Sequence, residues 1–126
     1  NLDGRSFTAL LSNPKRKIER PPEGLVFHFP HYNIVGLNEP HSAIRVGDYK
    51  LLKFTSSKRS LLFNVADDPS ESRDLSFEKP HLAASLDFEL EHYLRKVEAE
   101  KPKESNSWEK GKFGKTKTLF FNRYKN

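Results

Sequence analysis

The sequence predicts an α+β fold in which a small antiparallel sheet of about four strands is covered by one long C-terminal helix. Three observations carry this prediction. Between residues 25 and 65, short apolar runs with strand-like alternation are separated by Gly, Pro, Asp and Ser, which favour turns. From Pro80 to Glu100 the apolar spacing changes to that of a helix. A strand face needs an apolar cover and an amphipathic helix needs a partner, so the economical solution lays this helix on that sheet.

After the opening "LDGRSFTALL", the run "SNPKRKIERPPEG" combines three Pro with a cluster of Lys and Arg and reads as an exposed loop. In "LVFHF", residues 25–29, Leu25, Phe27 and Phe29 share one parity, and Val26 and His28 share the other. This alternation assigns Phe27 and Phe29 to the core and turns His28 away from it. Pro30 has no N–H for a ladder and ends the strand. "SAIRV" and "YKLLKF" flank Gly47-Asp48, the signature of a tight hairpin, with Arg45 and Lys50 opposed across the turn at exposed positions. "TSSKRS" makes a looser turn into "LLFNV", where Leu61, Phe63 and Val65 share a face. "ADDPSESRD" then breaks the pattern, with Asp67, Asp68 and Glu71 as turn or cap groups rather than a paired-carboxylate site.

In the helix, Leu82, Leu86, Leu90, Tyr93, Leu94 and Val97 form the apolar stripe, with Ala83 beside it. Pro80 suits the first turn, Glu91 and Arg95 are spaced to pair on the wet side, and Pro102 marks the expected stop. The chain therefore divides into a folded unit, residues 1–100, and a basic extension, residues 101–126. The extension carries eight Lys and Arg against two Glu, although the whole chain has a net charge of only +5.

Composition narrows the function classes. A chain of 126 residues with 35% hydrophobic residues and ten Phe supports one domain with a small core. The absence of Met, the first residue included, leads us to expect a piece of a longer protein. Without Cys there is no disulfide framework, thiolate metal site or cysteine nucleophile, and the redox compartment is undetermined. No apolar run approaches the roughly 20 residues that span a bilayer, so no membrane association is expected.

The stretch "FHFPHYN" concentrates aromatic rings and histidines, and with His41 it holds the candidate site residues His28, His31, Tyr32, Asn33 and His41. A zinc reading of His28, His31 and His41 is set aside. A strand running into Pro30 makes the first two rings diverge, and no fourth ligand has suitable spacing. Two readings remain. The segment is either a rim loop whose imidazole, phenol and carboxamide groups bind sugar hydroxyls or sulfate, or a set of hydrogen-bonded packing residues at a domain interface.

Taken in order, "LDGRSFTALL", "VFHFPHYN", "PHSAIRVGDYKLLKF", "LLFNVADDPSESRDL" and "KPHLAASLDFELEHYL" resemble the C-terminal region of the type I, formylglycine-dependent sulfatases across residues 2–98. Phe63 and Val65 depart from the family's usual Tyr and Leu, Arg73-Asp74 stands where Asn-Asp is common, and the tail has no counterpart. The resemblance implies a four-stranded sheet covered by a final helix, acting as the C-terminal subdomain of a sulfuric ester hydrolase. It places the formylglycine nucleophile and the calcium in an N-terminal catalytic domain, the chain's expected partner. No catalytic residue, metal ligand or cofactor is then expected in this chain, which alone would be silent. The substrate expected is a sulfated carbohydrate, with the rim loop contacting sugar outside the sulfate pocket, and a periplasmic or secreted parent would fit. "SNPKR", Ser12–Arg16, matches the serine form of the formylglycine motif but lacks its helical continuation and lies downstream of the phrase that follows the catalytic domain.

A reading from a different class is a non-enzymatic module that binds an anionic polymer. Lys110, Lys112, Lys115 and Lys117, interleaved with Trp108, Phe113 and Phe120, would capture a sulfated glycan or, as the less expected ligand, nucleic acid.

Overall fold

A computed structural model describes residues 6–15, 24–32 and 39–103. Asn33 and the tail from residue 104 onward lie outside the described residues, so the structure bears on neither the Asn33 assignment nor the reading of the tail. The elements are α1 (Thr8–Ser12), β1 (Leu25–Phe29), β2 (His41–Val46), β3 (Tyr49–Phe54), β4 (Arg59–Asn64) and α2 (Pro80–Lys96). The strands form one sheet in the order β1-β2-β3-β4, with every neighbouring pair antiparallel. The α+β architecture read from the sequence is thus the one observed.

Local chemistry explains the strand order. Gly47 takes φ +59 in the two-residue turn between β2 and β3, as a primed hairpin turn requires. Gly24, at φ +86, begins the approach to β1, and a Cβ there would lie 2.5 Å from the Arg45 carbonyl oxygen. A side chain at position 24 would therefore drive β1 off β2. The outer edge of β4 is closed by the loop that follows it. Leu75 N–H donates to the Leu62 carbonyl at 2.7 Å, and Leu62 N–H donates to the buried Asp74 carboxylate at 3.1 Å.

Register sorts the side chains into rows. Val26, Ile44, Leu51 and Leu62 are successive cross-strand partners on the face covered by α2. Ile44, Leu51 and Leu62 are fully buried there against Leu75, Leu86 and Leu90, with Leu82, Ala83 and Leu94 at the fringe. Each fully buried aliphatic side chain contributes about 1.5–3 kcal/mol, so this row and the helix stripe supply most of what holds α2 to the sheet.

Here the structure corrects the sequence reading. Phe27 and Phe29 do not join this core: they lie on the opposite face and are 61% and 39% exposed. Alternation shows which residues share a face but not which face receives the helix. That choice follows the inner strands, whose Ile44-Leu51-Leu62 row continues into Val26. The opposite face carries a second apolar cluster of Phe54, Leu61 and Phe63, with Leu52 and Val65 packed against it.

Three further differences have local causes. The helix stops at Lys96, well before Pro102. Val97 caps it and Glu98 enters the left-handed region at φ +50. Glu98 N–H then bonds to the Arg95 carbonyl at 3.1 Å and Ala99 N–H to the Leu94 carbonyl at 2.9 Å, a Schellman ending with Glu in the position usually given to Gly. Val97 is accordingly 47% exposed rather than part of the stripe. Glu91 turns to Lys53 of the sheet, at 2.9 Å, instead of serving Arg95. The five-residue α1, with Thr8 N–H bonded to the Ser6 hydroxyl, is too short for a periodicity to announce it.

Asp67 and Asp68 take the turn roles read from the sequence. Asp67 accepts from the Asn64 carboxamide at 2.6 Å, and Asp68 accepts from the backbone N–H groups of Ser72 and Arg73 and from the Ser70 hydroxyl. Glu71 instead holds Lys50 at 2.7 Å, a partner outside its own turn. Among the described residues, no helix is long and apolar enough to cross a membrane.

Candidate functional site

The described members of the predicted site occupy two faces of the sheet. On the Phe27 face, β1 ends in a small aromatic group: Phe29 meets His31 edge-on at 5.8 Å between ring centroids and His41 at 5.5 Å, and His41 continues to Phe54 at 6.0 Å. His41 Nδ1 bonds to the Glu39 backbone carbonyl at 2.8 Å. The Tyr32 and Ser56 hydroxyls are 2.7 Å apart, tying the post-β1 segment to the β3–β4 turn. Glu39 is buried beneath that turn, where its carboxylate accepts from the Ser57 hydroxyl at 2.6 Å and the Ser57 N–H at 3.0 Å. His31 and His41 thus meet through Phe29 at one end of the sheet, and Tyr32 is held by the neighbouring β3–β4 turn.

His28 is not with them. Its alternation partner is Val26, so it faces the helix side, where Nδ1 lies 2.8 Å from the Ser42 hydroxyl and Nε2 lies 2.8 Å from the Glu100 carbonyl. A carbonyl only accepts, so Nε2 carries a proton; in the neutral ring Nδ1 then accepts from Ser42. The contact to Glu100 ties the segment after α2 to the edge strand. Among the described residues, no three His, Cys, Asp or Glu side chains gather as a metal site would need.

His28 also begins a second row on the helix face. His28, Ser42, Lys53 and Ser60 are successive cross-strand partners, one two-residue step along from the apolar Val26 row. Over this row, the C-terminal half of α2 and the segment after it enclose a cleft of about 800 Å³. Lys53 Nζ lies 2.9 Å from Asp87 and 2.9 Å from Glu91, and the Ser60 hydroxyl donates to Asp87 at 3.3 Å. Burial alone would lower the Lys53 pKa, but the bonds and charges of Glu91 and Asp87 outweigh it and hold the ammonium above its ordinary 10.5.

Sequence reasoning missed Ser42, Lys53, Ser60, Asp87 and Glu91. The signal was present in the parity: each strand breaks its helix-side apolar pattern with a polar residue at the same register, and Asp87 and Glu91 lie i,i+4 beside Leu86 and Leu90. Recognising it required the pairing register, which one strand's sequence does not contain.

No protein-family model matches the chain, and no curated protein matches it.

Proposed function

We propose that this chain is the C-terminal subdomain of a formylglycine-dependent sulfatase, supplying scaffold and one wall of the substrate cleft to a parent that hydrolyses sulfate esters of carbohydrates. The observation that carries the reading is that the quoted phrases fall on a four-stranded antiparallel sheet followed by a covering helix, the architecture that the resemblance implies. "LDGRSFTALL" runs into α1, "VFHFPHYN" spans β1 and its exit, "PHSAIRVGDYKLLKF" holds the β2–β3 hairpin, "LLFNVADDPSESRDL" holds β4 and its edge-closing loop, and "KPHLAASLDFELEHYL" begins α2.

On this reading, His31, Tyr32 and His41 offer hydrogen bonds to sugar hydroxyls at the rim, with Asn33 continuing the same segment. The neighbouring Phe27 face is the docking surface for the catalytic domain. Support comes from the 61% exposure of Phe27 and from a groove of about 500 Å³ floored by Leu25, Ala43 and Leu52. Calcium and formylglycine belong to that other domain, where they supply sulfate binding and the nucleophile, and no residue of this chain takes a chemical step.

Two experiments test the proposal. The coding sequence upstream of Asn1 should encode a domain with C-x-P-S-R or S-x-P-S-R; a stop codon or an unrelated domain there would refute it. In the parent enzyme, His31→Ala should raise KM for a sulfated oligosaccharide while leaving kcat and the turnover of a small aryl sulfate unchanged. Equal losses on both substrates would remove His31 from the sugar-binding rim.

A further inference from the structure

We propose that the cleft between α2 and the His28-Ser42-Lys53-Ser60 row is a binding site for a neutral glycan residue. The first argument is the row itself. One register step away, the same four strands present an all-apolar row that seals against Leu86 and Leu90. Continuing apolar residues into the next row would have extended that seal. Instead all four positions are polar, and among the described residues the space above them stays open, at about 800 Å³, within the roughly 300–1,000 Å³ usual for small-molecule sites. Half-buried ion pairs are a poor substitute for apolar packing as a source of stability, so the Lys53 cluster calls for another role.

The second argument is charge, which selects the ligand class. Lys53, Lys58, Arg95 and Lys101 line the cleft, and so do Asp87, Glu91, Glu98 and Glu100. Four cations and four anions cancel. At the floor one ammonium faces two carboxylates, so an arriving sulfate or phosphate meets net negative charge, while an arriving cation meets the Lys53 ammonium. A ligand with many hydroxyls and no charge suits this lining. Each hydroxyl both donates and accepts, matching the Asp87 and Glu91 acceptors, the remaining Lys53 N–H and the Ser42 and Ser60 hydroxyls. Leu94 and Pro102 add an apolar wall for the C–H face of a sugar ring.

The proposal does not rest on the sulfatase reading: it concerns the face of the sheet opposite Phe27 and requires no catalytic domain. The test is an amide-resolved NMR titration of the full chain with cellohexaose, chitohexaose and maltohexaose, and with a sulfated heparin hexasaccharide for comparison. At least one neutral sugar should give saturable shifts at Ser42, Lys53 and Ser60. Ser60→Val, which introduces a β-branched residue suited to a strand and fills the floor, should weaken that binding about tenfold, the loss expected from one or two hydrogen bonds. If Ser60→Val perturbs the amide spectrum beyond the cleft, Asp87→Asn serves in its place, with the same weakening expected. Binding of the sulfated sugar alone, shifts confined to other surfaces, or no saturable shift from any neutral sugar at millimolar concentration would each overturn the proposal. A negative titration does not bear on the upstream-sequence test, and the converse also holds.

Discussion

Replacing Asp74 with Ala should cost about 2–4 kcal/mol of folding stability, whereas replacing it with Asn should cost only about 1 kcal/mol. Asp74 is buried, with one oxygen accepting from the Leu62 N–H at 3.1 Å and the Ser76 N–H at 2.9 Å, and the other from the Ser76 hydroxyl at 3.0 Å. Ser76 is half-buried, and water can take over its bonds. Leu62 is fully buried, so without Asp74 its N–H is left without an acceptor, at a cost of about 1–3 kcal/mol, and the remaining loss comes from the charge-assisted bonds. Asn presents the same acceptor to both N–H groups, and its NH2 can donate to the Ser76 oxygen, so only the charge is lost. Urea denaturation followed by far-UV circular dichroism measures both variants. Asp74→Ala should lower the midpoint by more than about 1 M at unchanged slope, with Asp74→Asn close to the parent protein. An Ala cost below about 1 kcal/mol, or equal costs for Ala and Asn, would refute the assignment of Asp74 as the cap on the β4 edge.

Three other outcomes are expected. The Asp68 carboxyl, bonded first by the Arg73 N–H and then by Ser70 and Ser72, is held at about 2 rather than 3.8. Its folded value lies below its unfolded one, so its contribution to stability is complete above 3.8 and disappears as pH falls toward 2; a carboxyl NMR titration with a midpoint near 3.8 would contradict this. Glu98→Gly should stabilise the chain by about 0.5–1 kcal/mol in the same urea assay, because it relieves a left-handed non-glycine residue and removes a negative charge from the end of α2. For the anionic-polymer reading of the extension, deleting residues 101–126 removes eight basic and two acidic residues, and heparin elution should move to lower salt; an unchanged elution position would dispose of that reading.

The legible parts of the fold were those that short-range chemistry decides. Pro30 and Gly47-Asp48 punctuate strands wherever they occur, and the Leu82-Leu86-Leu90 stripe has helical spacing in any context. The Asp68 turn was equally readable, since its partners lie within five residues. What escaped depended on pairings distant in sequence. His28 meets Glu100 across 72 residues, and Lys53 meets Asp87 across 34. The end of α2 was missed for a different reason: Glu98 accepts a left-handed φ that sequence statistics reserve for Gly, so Pro102 looked like the stop.

The misplacement of Phe27 and Phe29 separates two questions that "FHFPHYN" runs together. Alternation correctly opposes His28 to the two Phe rings, but a sheet with apolar residues on both faces has two candidate cores. Only the helix decides between them. Its stripe seats on the Ile44-Leu51-Leu62 row, which draws Val26 inward and takes His28 to the cleft side, while Phe27 is left exposed. The histidines of one short motif therefore serve two surfaces. His31, with His41, belongs to the aromatic end of the open face, where the sulfatase reading puts the rim, and His28 fastens the chain beyond α2 over the polar row. A variant at His28 should accordingly disturb the cleft and the segment around Glu100 without altering the ring contacts of Phe29.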